Sequence, residues 1–401
     1  MPHPHSPPLH PEDRRVIRVA HLLDGRHFGG AEQMVRRLIQ AAPREAIEAW
    51  AYCLREGRLA EFLRAEGLRV RVLGAAGKYD WRVVGRLERA AREDRIDILQ
   101  AHTSRTHLLA RIVSVRLGIP NVTTIHSPIA RDENRSTAIH PLRAWVERLG
   151  RPWTHHIVSV GREEAERLSR EERVPADKLS WIPNGVDPPP VEAREQARAA
   201  LSEYLRKEGL DPAAFTVAMI AQMRPRKGPE VLLRAFARWP QAHDGRGVLL
   251  MIGDDEFTQG AGYLDSLKTL ARDLGISEAV RFTGFMADPW ALAGGADLIA
   301  LPSMFGEGLP LVLLEAMSRA IPLAVSDSAG NRELARDAAC GWIHPPGDAA
   351  ALARHLAEAA ADPAATRAKG DAGRRYFMEH FTLGRVIERY RELYERLKRD
   401  S

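Results

Sequence analysis

The sequence predicts an α/β protein made of two doubly wound, Rossmann-like domains that face a central cleft. Three observations lead there. Short apolar runs alternate with amphipathic helical stretches, the pattern restarts near the middle of the chain, and three consecutive prolines at 188–190 separate the two series. Continuous apolar strands with helices between them need cover on both faces, which is how a parallel sheet is built. Proline suits neither a helix interior nor a central strand, so the triplet marks a linker. A length of 401 residues accommodates two or three domains.

Taken in order, residues 1–15 are rich in proline and histidine and lack the apolar centre of a secretory signal, so they read as a disordered lead-in. The first domain is expected over 16–187, with strands at 16–23, 49–54, 69–73, 96–101, 122–126 and 156–160. Amphipathic helices are expected between them at 31–39, 81–92 and 105–115. The second domain is expected over 188–380, with strands at 215–221, 248–252, 280–282, 298–301 and 322–325. Its helices are expected at 229–239, 263–274, 311–319 and 349–360. The stretch 381–401 reads as one helix with Val386, Ile387, Tyr390, Leu393, Tyr394 and Leu397 on one side. An apolar face of that size must pack, and the expected place is back on the first domain.

Composition removes several function classes. A hydrophobic share of 45% with 28% charged residues is globular, not disordered or fibrous. The net charge of +5 comes from a basic set that is arginine at all but seven positions, without basic runs, so no nucleic-acid partner is expected. Cys53 and Cys340 lie far apart and match no metal spacing. No segment approaches the roughly 18 apolar residues of a membrane span. The expected location is cytoplasmic.

Three motifs carry chemistry. Gly29-Gly30-Ala31-Glu32 opens a helix after the first strand, where glycine lets backbone amides approach a phosphate or sugar. His102 and His126 fall at strand carboxyl ends, where open α/β sheets bind ligands. The third motif, residues 305–317 (FGEGLPLVLLEAM), holds Glu307 and Glu315 with seven residues between them, the first in a glycine-flanked loop and the second on an apolar helix. A buried carboxylate is costly unless paired or hydrogen-bonded, and sugar or ribose hydroxyls would satisfy it. Gly308 and Leu309 offer amides to a phosphate at the helix start.

With these residues in view, the sequence resembles a family 4 retaining glycosyltransferase of the GT-B fold over nearly all of 16–398. The resemblance adds Val158–Gly161, the run Ile182-Pro183-Asn184-Gly185-Val186-Asp187, the RKG turn at 226–228, Met251–Asp254, Phe282–Phe285, and Ser328-Ala329-Gly330 followed by Glu333. It implies that a nucleotide-sugar donor binds the second domain, with Lys227 on the diphosphate, Glu315 on the ribose, Glu307 on the sugar hydroxyls and Phe285 near the base. His126 is implied to face the transferred sugar and acceptor, and Gly30 to lie near the diphosphate. No metal or other cofactor is expected, since no Asp-x-Asp motif stands at a strand end and side chains then supply the charge. The EGLPLVLLEAM form is similar to enzymes of bacterial polysaccharide and lipopolysaccharide synthesis, which implies a glycan or lipid-linked acceptor.

Two positions depart from the family pattern. Gln222 stands where the family usually has an arginine, and Pro310 replaces a glycine and removes an amide donor. Residues two apart in a strand point alike, so Arg224 is expected to stand in for the missing arginine if the strand runs that far. Arg82, Arg86, Arg89 and Arg92 recur at helical spacing, and Arg131, Arg135, Arg143 and Arg148 accompany Trp145 and Trp153. Basic residues with interfacial tryptophans suit contact with an anionic membrane. The expected activity is transfer of a hexosyl group (class EC 2.4) to a hydroxyl acceptor. The alternatives are a nucleotide-sugar epimerase of the same fold, a two-carboxylate glycosidase and a non-catalytic nucleotide-sugar-binding protein.

Overall fold

The computed structural model describes residues 16–26, 29–77, 80–127, 145, 147–255 and 262–401. The lead-in expected over 1–15 lies outside these residues, as do Arg131, Arg135 and Arg143.

Two parallel sheets form. The first contains β1 (Ile17–Leu23), β2 (Ile47–Cys53), β3 (Val70–Val72), β4 (Ile98–Ala101), β5 (Asn121–Ile125), β6 (His156–Ser159) and β7 (Leu179–Trp181). Its spatial order is β3-β2-β1-β4-β5-β6-β7. The second contains β8 (Phe215–Ile220), β9 (Gly247–Ile252), β10 (Val280–Gly284), β11 (Leu298–Leu301), β12 (Leu323–Ser326) and β13 (Gly341–His344), in the order β10-β9-β8-β11-β12-β13. Every strand pairing is parallel. The order therefore reverses between β1 and β4 in one sheet and between β8 and β11 in the other. Crevices for ligands open at such reversals, beyond the strand carboxyl ends.

Burial explains why these segments are strands. β4, β9, β11 and β12 are buried at every residue, as strands covered on both faces must be. β7 and β13 were not expected. β7 is three half-buried residues at a sheet edge, too short to show as an apolar run. Helices Arg58–Ala65, Arg162–Arg170, Ala193–Lys207, Ala329–Asp337 and Pro363–His380 were also not expected. Arg162–Arg170 shows the reason: beside Glu164 it buries only Ala165 and Leu168, so its apolar stripe is weak in a charged sequence.

The last helix, Leu383–Arg399, packs on the first sheet. Val386, Tyr390, Leu393, Tyr394 and Leu397 join the core that holds Ile17, Val19, Met34 and Val35, with Ile387 half-buried at its border. The Tyr394 hydroxyl donates to Gln100 Oε1 on β4, and Gln100 Nε2 donates to Thr124 Oγ1 at 2.8 Å. Where this helix begins, Thr382 bridges Val186: Leu383 N–H donates to the Val186 carbonyl and Val186 N–H to the Phe381 carbonyl, both at 3.0 Å.

Candidate active site

The second sheet's switch point carries a dense charge cluster. After β8 the chain makes a 3-10 turn at Pro225–Lys227, and after β11 the loop to helix Leu311–Ser318 carries Glu307. Lys227 Nζ donates to Glu307 Oε1 at 2.6 Å, Ser303 Oγ donates to the same oxygen at 2.7 Å, and Arg226 Nη1 reaches it at 3.4 Å. Glu307 is buried. Burial pushes its carboxyl up, but Lys227 and Arg226 outweigh that and hold it below the ordinary glutamate range. The Lys227 ammonium sits below the usual lysine range, first because it is buried and also because Arg226 and Arg224 crowd it. Two cations thus share one carboxylate, with Arg224 close enough to act on Lys227. An anion entering here would relieve their repulsion.

Arg224 arrives there differently from expectation. β8 ends at Ile220, so the strand alternation that was to align Gln222 with Arg224 stops before either residue. Arg224 is extended (φ −138°, ψ 145°) and caps the 3-10 turn, near enough to act on the Lys227 charge. Gln222 and Arg224 are both half-buried.

Glu315 is engaged across the cleft. Its Oε1 accepts from Arg37 Nη2, on helix Gly30–Ala41 of the first half, and its Oε2 accepts from Trp290 Nε1 at 3.0 Å. Sequence reasoning missed Arg37 because its partner lies 278 residues away and α-helical spacing carries no trace of it. The other terminal nitrogen of the Arg37 guanidinium, Nη1, is buried without a hydrogen-bond partner among the described residues. Trp290, Ser303, Arg226 and Asn184 were likewise not singled out as site residues. Asn184 Nδ2 donates to the Leu309 carbonyl at 2.7 Å and ties the interdomain run to the Glu307 loop.

Gly308 and Leu309 stand in a bend ahead of the helix, not in its first turn, since the helix starts at Leu311 with Pro310 as its cap. The backbone explains Gly308: a Cβ there would run into the His126 carbonyl, and one on Gly330 would run into the Gly308 carbonyl. Three backbone segments from both halves therefore meet at this loop. Gly30 opens its helix with free space where a Cβ would stand, and the neighbouring Gly29 N–H is capped by Glu32 Oε2 at 3.0 Å. Phe285 follows β10 directly and is 75% exposed.

His126 follows β5 on the first sheet's side of the cleft. Its Nε2 lies 2.9 Å from His102 Nδ1, and His102 Nε2 lies 3.1 Å from His21 Nδ1. Burial lowers all three imidazoles, His21 to about 3 and His126 to about 4. Glu333 joins the two halves behind this site by accepting backbone N–H bonds from Arg162 (2.8 Å) and Glu163 (3.3 Å), at the start of helix Arg162–Arg170. Among the described residues, no three His, Cys, Asp or Glu side chains converge as metal ligands. A cavity of about 440 Å³ lies at the other end of the second sheet, lined by Arg194, Arg198, Asp297 and Arg367, and holds none of these residues.

Known proteins are similar to this chain in sequence and in fold. Residues 28–189 match the family described as Glycosyltransferase Family 4, and residues 202–376 match Glycosyl transferases group 1. The chain belongs to glycosyltransferase family 4. An Escherichia coli UDP-Gal:alpha-D-GlcNAc-diphosphoundecaprenol alpha-1,3-galactosyltransferase is 25% identical over 337 residues, 82% of this chain and 84% of its own. A Mycolicibacterium gilvum D-inositol 3-phosphate glycosyltransferase is 30% identical over 67% of this chain and 59% of its own. Among solved structures, an Anabaena protein, HepE, in complex with UDP and glucose superimposes with a TM-score of 0.79 at 21% identity, covering 94% of this chain and 99% of that one. A Thermosynechococcus elongatus sucrose-phosphate synthase gives 0.77 at 20% identity, over 96% and 100%. The fold of this glycosyltransferase is GT-B, with Lys227 and Glu307 at one sheet's switch point and His102 and His126 at the carboxyl ends of neighbouring strands in the other.

Proposed function

We propose that the protein is a retaining glycosyltransferase that moves a hexosyl group from a nucleotide-diphosphate sugar to a hydroxyl acceptor, on a glycan or lipid-linked saccharide of the cell surface. The observation that carries this reading is the surplus of positive charge around Glu307. Lys227 and Arg226 both reach Oε1 of this one buried carboxylate, so two cations face a single negative charge. Breaking the anomeric bond leaves negative charge on a diphosphate, and fixed cations in a dry cleft stabilise that charge best. In this reading Lys227 and Arg224 meet the diphosphate, with the amides of Gly308, Leu309 and Gly30 nearby and Gln222 beside them. Glu307 orients Lys227 and accepts sugar hydroxyls, and His126 faces the same sugar. Glu315 accepts the ribose hydroxyls once Arg37 yields its place, and Phe285 flanks the base. The acceptor hydroxyl attacks from the face that the diphosphate leaves and passes its proton to the departing phosphate, so configuration is retained.

Side chains supply the charge neutralisation in this proposal, without a metal. The relatives support the substrate class: one is named for UDP-galactose and a diphosphoundecaprenol acceptor, and a structural neighbour was solved with UDP. The test is incubation with labelled UDP-, GDP- and ADP-sugars, with and without saccharide acceptors. Nucleoside diphosphate released only with acceptor, and product of unchanged anomeric configuration, is the expected result. An isomerised donor without acceptor, or binding without turnover, refutes it.

We also propose peripheral contact with anionic membrane. Arg82, Arg89 and Arg92 are exposed on helix Arg82–Glu93, while Trp81, Trp145 and Trp153 are each more than half exposed. Arg86 instead bonds Asp80 and adds little. No helix among the described residues is long and apolar enough to cross a membrane. Co-sedimentation with anionic vesicles at low salt is expected, and loss of binding at high salt would accompany it; vesicles that leave the protein in the supernatant remove the idea.

A further inference from the structure

His21, His102 and His126 come from β1 and from the ends of β4 and β5, three neighbouring strands of the first sheet. Their rings follow one another with centroids 5.4 and 5.2 Å apart, tilted by 24° and 32°. The contacts link His21 Nδ1 to His102 Nε2 and His102 Nδ1 to His126 Nε2. The far nitrogen of the chain, His126 Nδ1, is buried and has no hydrogen-bond partner among the described residues. His107 approaches the group but is held elsewhere, by Glu147 at 3.0 Å and the Thr124 carbonyl at 3.3 Å.

A neutral imidazole carries one N–H and one bare nitrogen. Two nitrogen–nitrogen contacts in series therefore permit only two arrangements. If His102 carries its proton on Nδ1, it donates to His126 Nε2, accepts from His21 Nδ1, and leaves His126 Nδ1 protonated. If it carries the proton on Nε2, every bond reverses and His126 Nδ1 is bare. An intermediate arrangement places two N–H groups, or two lone pairs, against each other at 3 Å, so the three rings switch together or not at all.

We propose that His21 and His102 are positioning residues that lock the tautomer of His126 to their own, so that its Nδ1, unpartnered among the described residues, presents the hydrogen-bonding role they set to a hydroxyl of the bound sugar. This rests on the glycosyl-transfer reading for the identity of the ligand, but not for the tautomer lock itself. A sugar hydroxyl would give His126 Nδ1 the partner it lacks among the described residues. His21 then influences a reacting sugar two rings away.

The direct test is the imidazole ¹⁵N spectrum of histidine-labelled full-length protein without ligand. The wild type should show His126 as one tautomer, and His21→Phe should shift it toward a mixture or the opposite form. His102→Asn keeps a polar group at the Nδ1 position and severs the link to His21, so adding His21→Phe to it should change nothing further. In turnover assays His21→Phe should lower kcat about 10- to 100-fold with KM within about twofold, because a misassigned donor or acceptor faces the sugar. His126 resonances that ignore both substitutions overturn the lock, whether or not the protein transfers sugar. Resonances that respond while kcat stays at the wild-type level overturn its role in turnover.

Discussion

At Lys227 a buried ammonium shares one carboxylate with the Arg226 guanidinium, and replacing it tests the donor site at the level of a single atom. Lys227→Ala is expected to cost about 2–5 kcal/mol of transition-state stabilisation, because it leaves Glu307 buried without its shortest partner. Arg224→Ala should fall nearly as far and Gln222→Ala less; kcat/KM at saturating acceptor ranks them, and an Arg224→Ala enzyme at wild-type turnover refutes the order. The two glutamates should separate kinetically. Glu315→Gln should weaken donor binding, since ribose is held equally in ground and transition states, whereas Glu307→Gln should fall on kcat. Equal small effects would make both structural. Arg37→Ala removes the group that occupies Glu315, so calorimetry should show tighter nucleotide binding. Acid stability follows from the histidines. His21 and His126 titrate near 3 and 4 in the fold and near 6.5 in the unfolded chain, so below 6.5 the unfolded state binds more protons. Stability is then complete above pH 6.5 and declines as pH falls toward 4, by about 1.4 kcal/mol per pH unit for each histidine. Urea midpoints that are flat between pH 7.5 and 5.5 would contradict this.

Among the elements, the C-terminal helix gives the cleanest energetic test. Leu393→Ala should cost about 2–5 kcal/mol, read as a lower denaturation midpoint, because Leu393 is buried in the first sheet's core. That helix was legible in the sequence because its apolar residues recur with helical period over four turns. The central strands were legible for a related reason: β9 and β11 are buried on both faces and read as unbroken apolar runs. Edge strand β7 and the charged helix Arg162–Arg170 were not, since neither buries enough to leave a pattern. Within the site, Glu307 and Glu315 stood out through a local motif and Lys227 through the family resemblance. The contacts they make are long-range, and Arg37, Trp290 and His21 could only be found once the chain was folded. The Arg224 argument failed at its premise, because strand period-two reasoning holds only while the strand lasts, and this one ends four residues earlier.

Across the whole molecule, the two halves touch through Glu315 with Arg37, Glu333 with the Arg162 and Glu163 amides, and Gly308 with the His126 carbonyl. These polar and backbone contacts are ones that solvent can replace at modest cost, and apolar contacts accompany them, with Val160 in the second half's core and Leu311 against the first half's. The covalent passages between the halves are placed differently. The chain leaves the first sheet at Val186 and returns at Thr382, and these residues are hydrogen-bonded side by side. Gly185 lies so close to Leu383 and Val386 that a side chain there would displace the returning helix. Gly185→Val is therefore expected to destabilise by about 1–3 kcal/mol, and thermal melts check it. Two adjacent passages also act as a hinge with a single axis. Relative motion of the halves then reduces to one angle: spin labels far from Val186 should change separation in proportion to their lever arm when donor binds, while a pair flanking Val186 and Thr382 should hardly move.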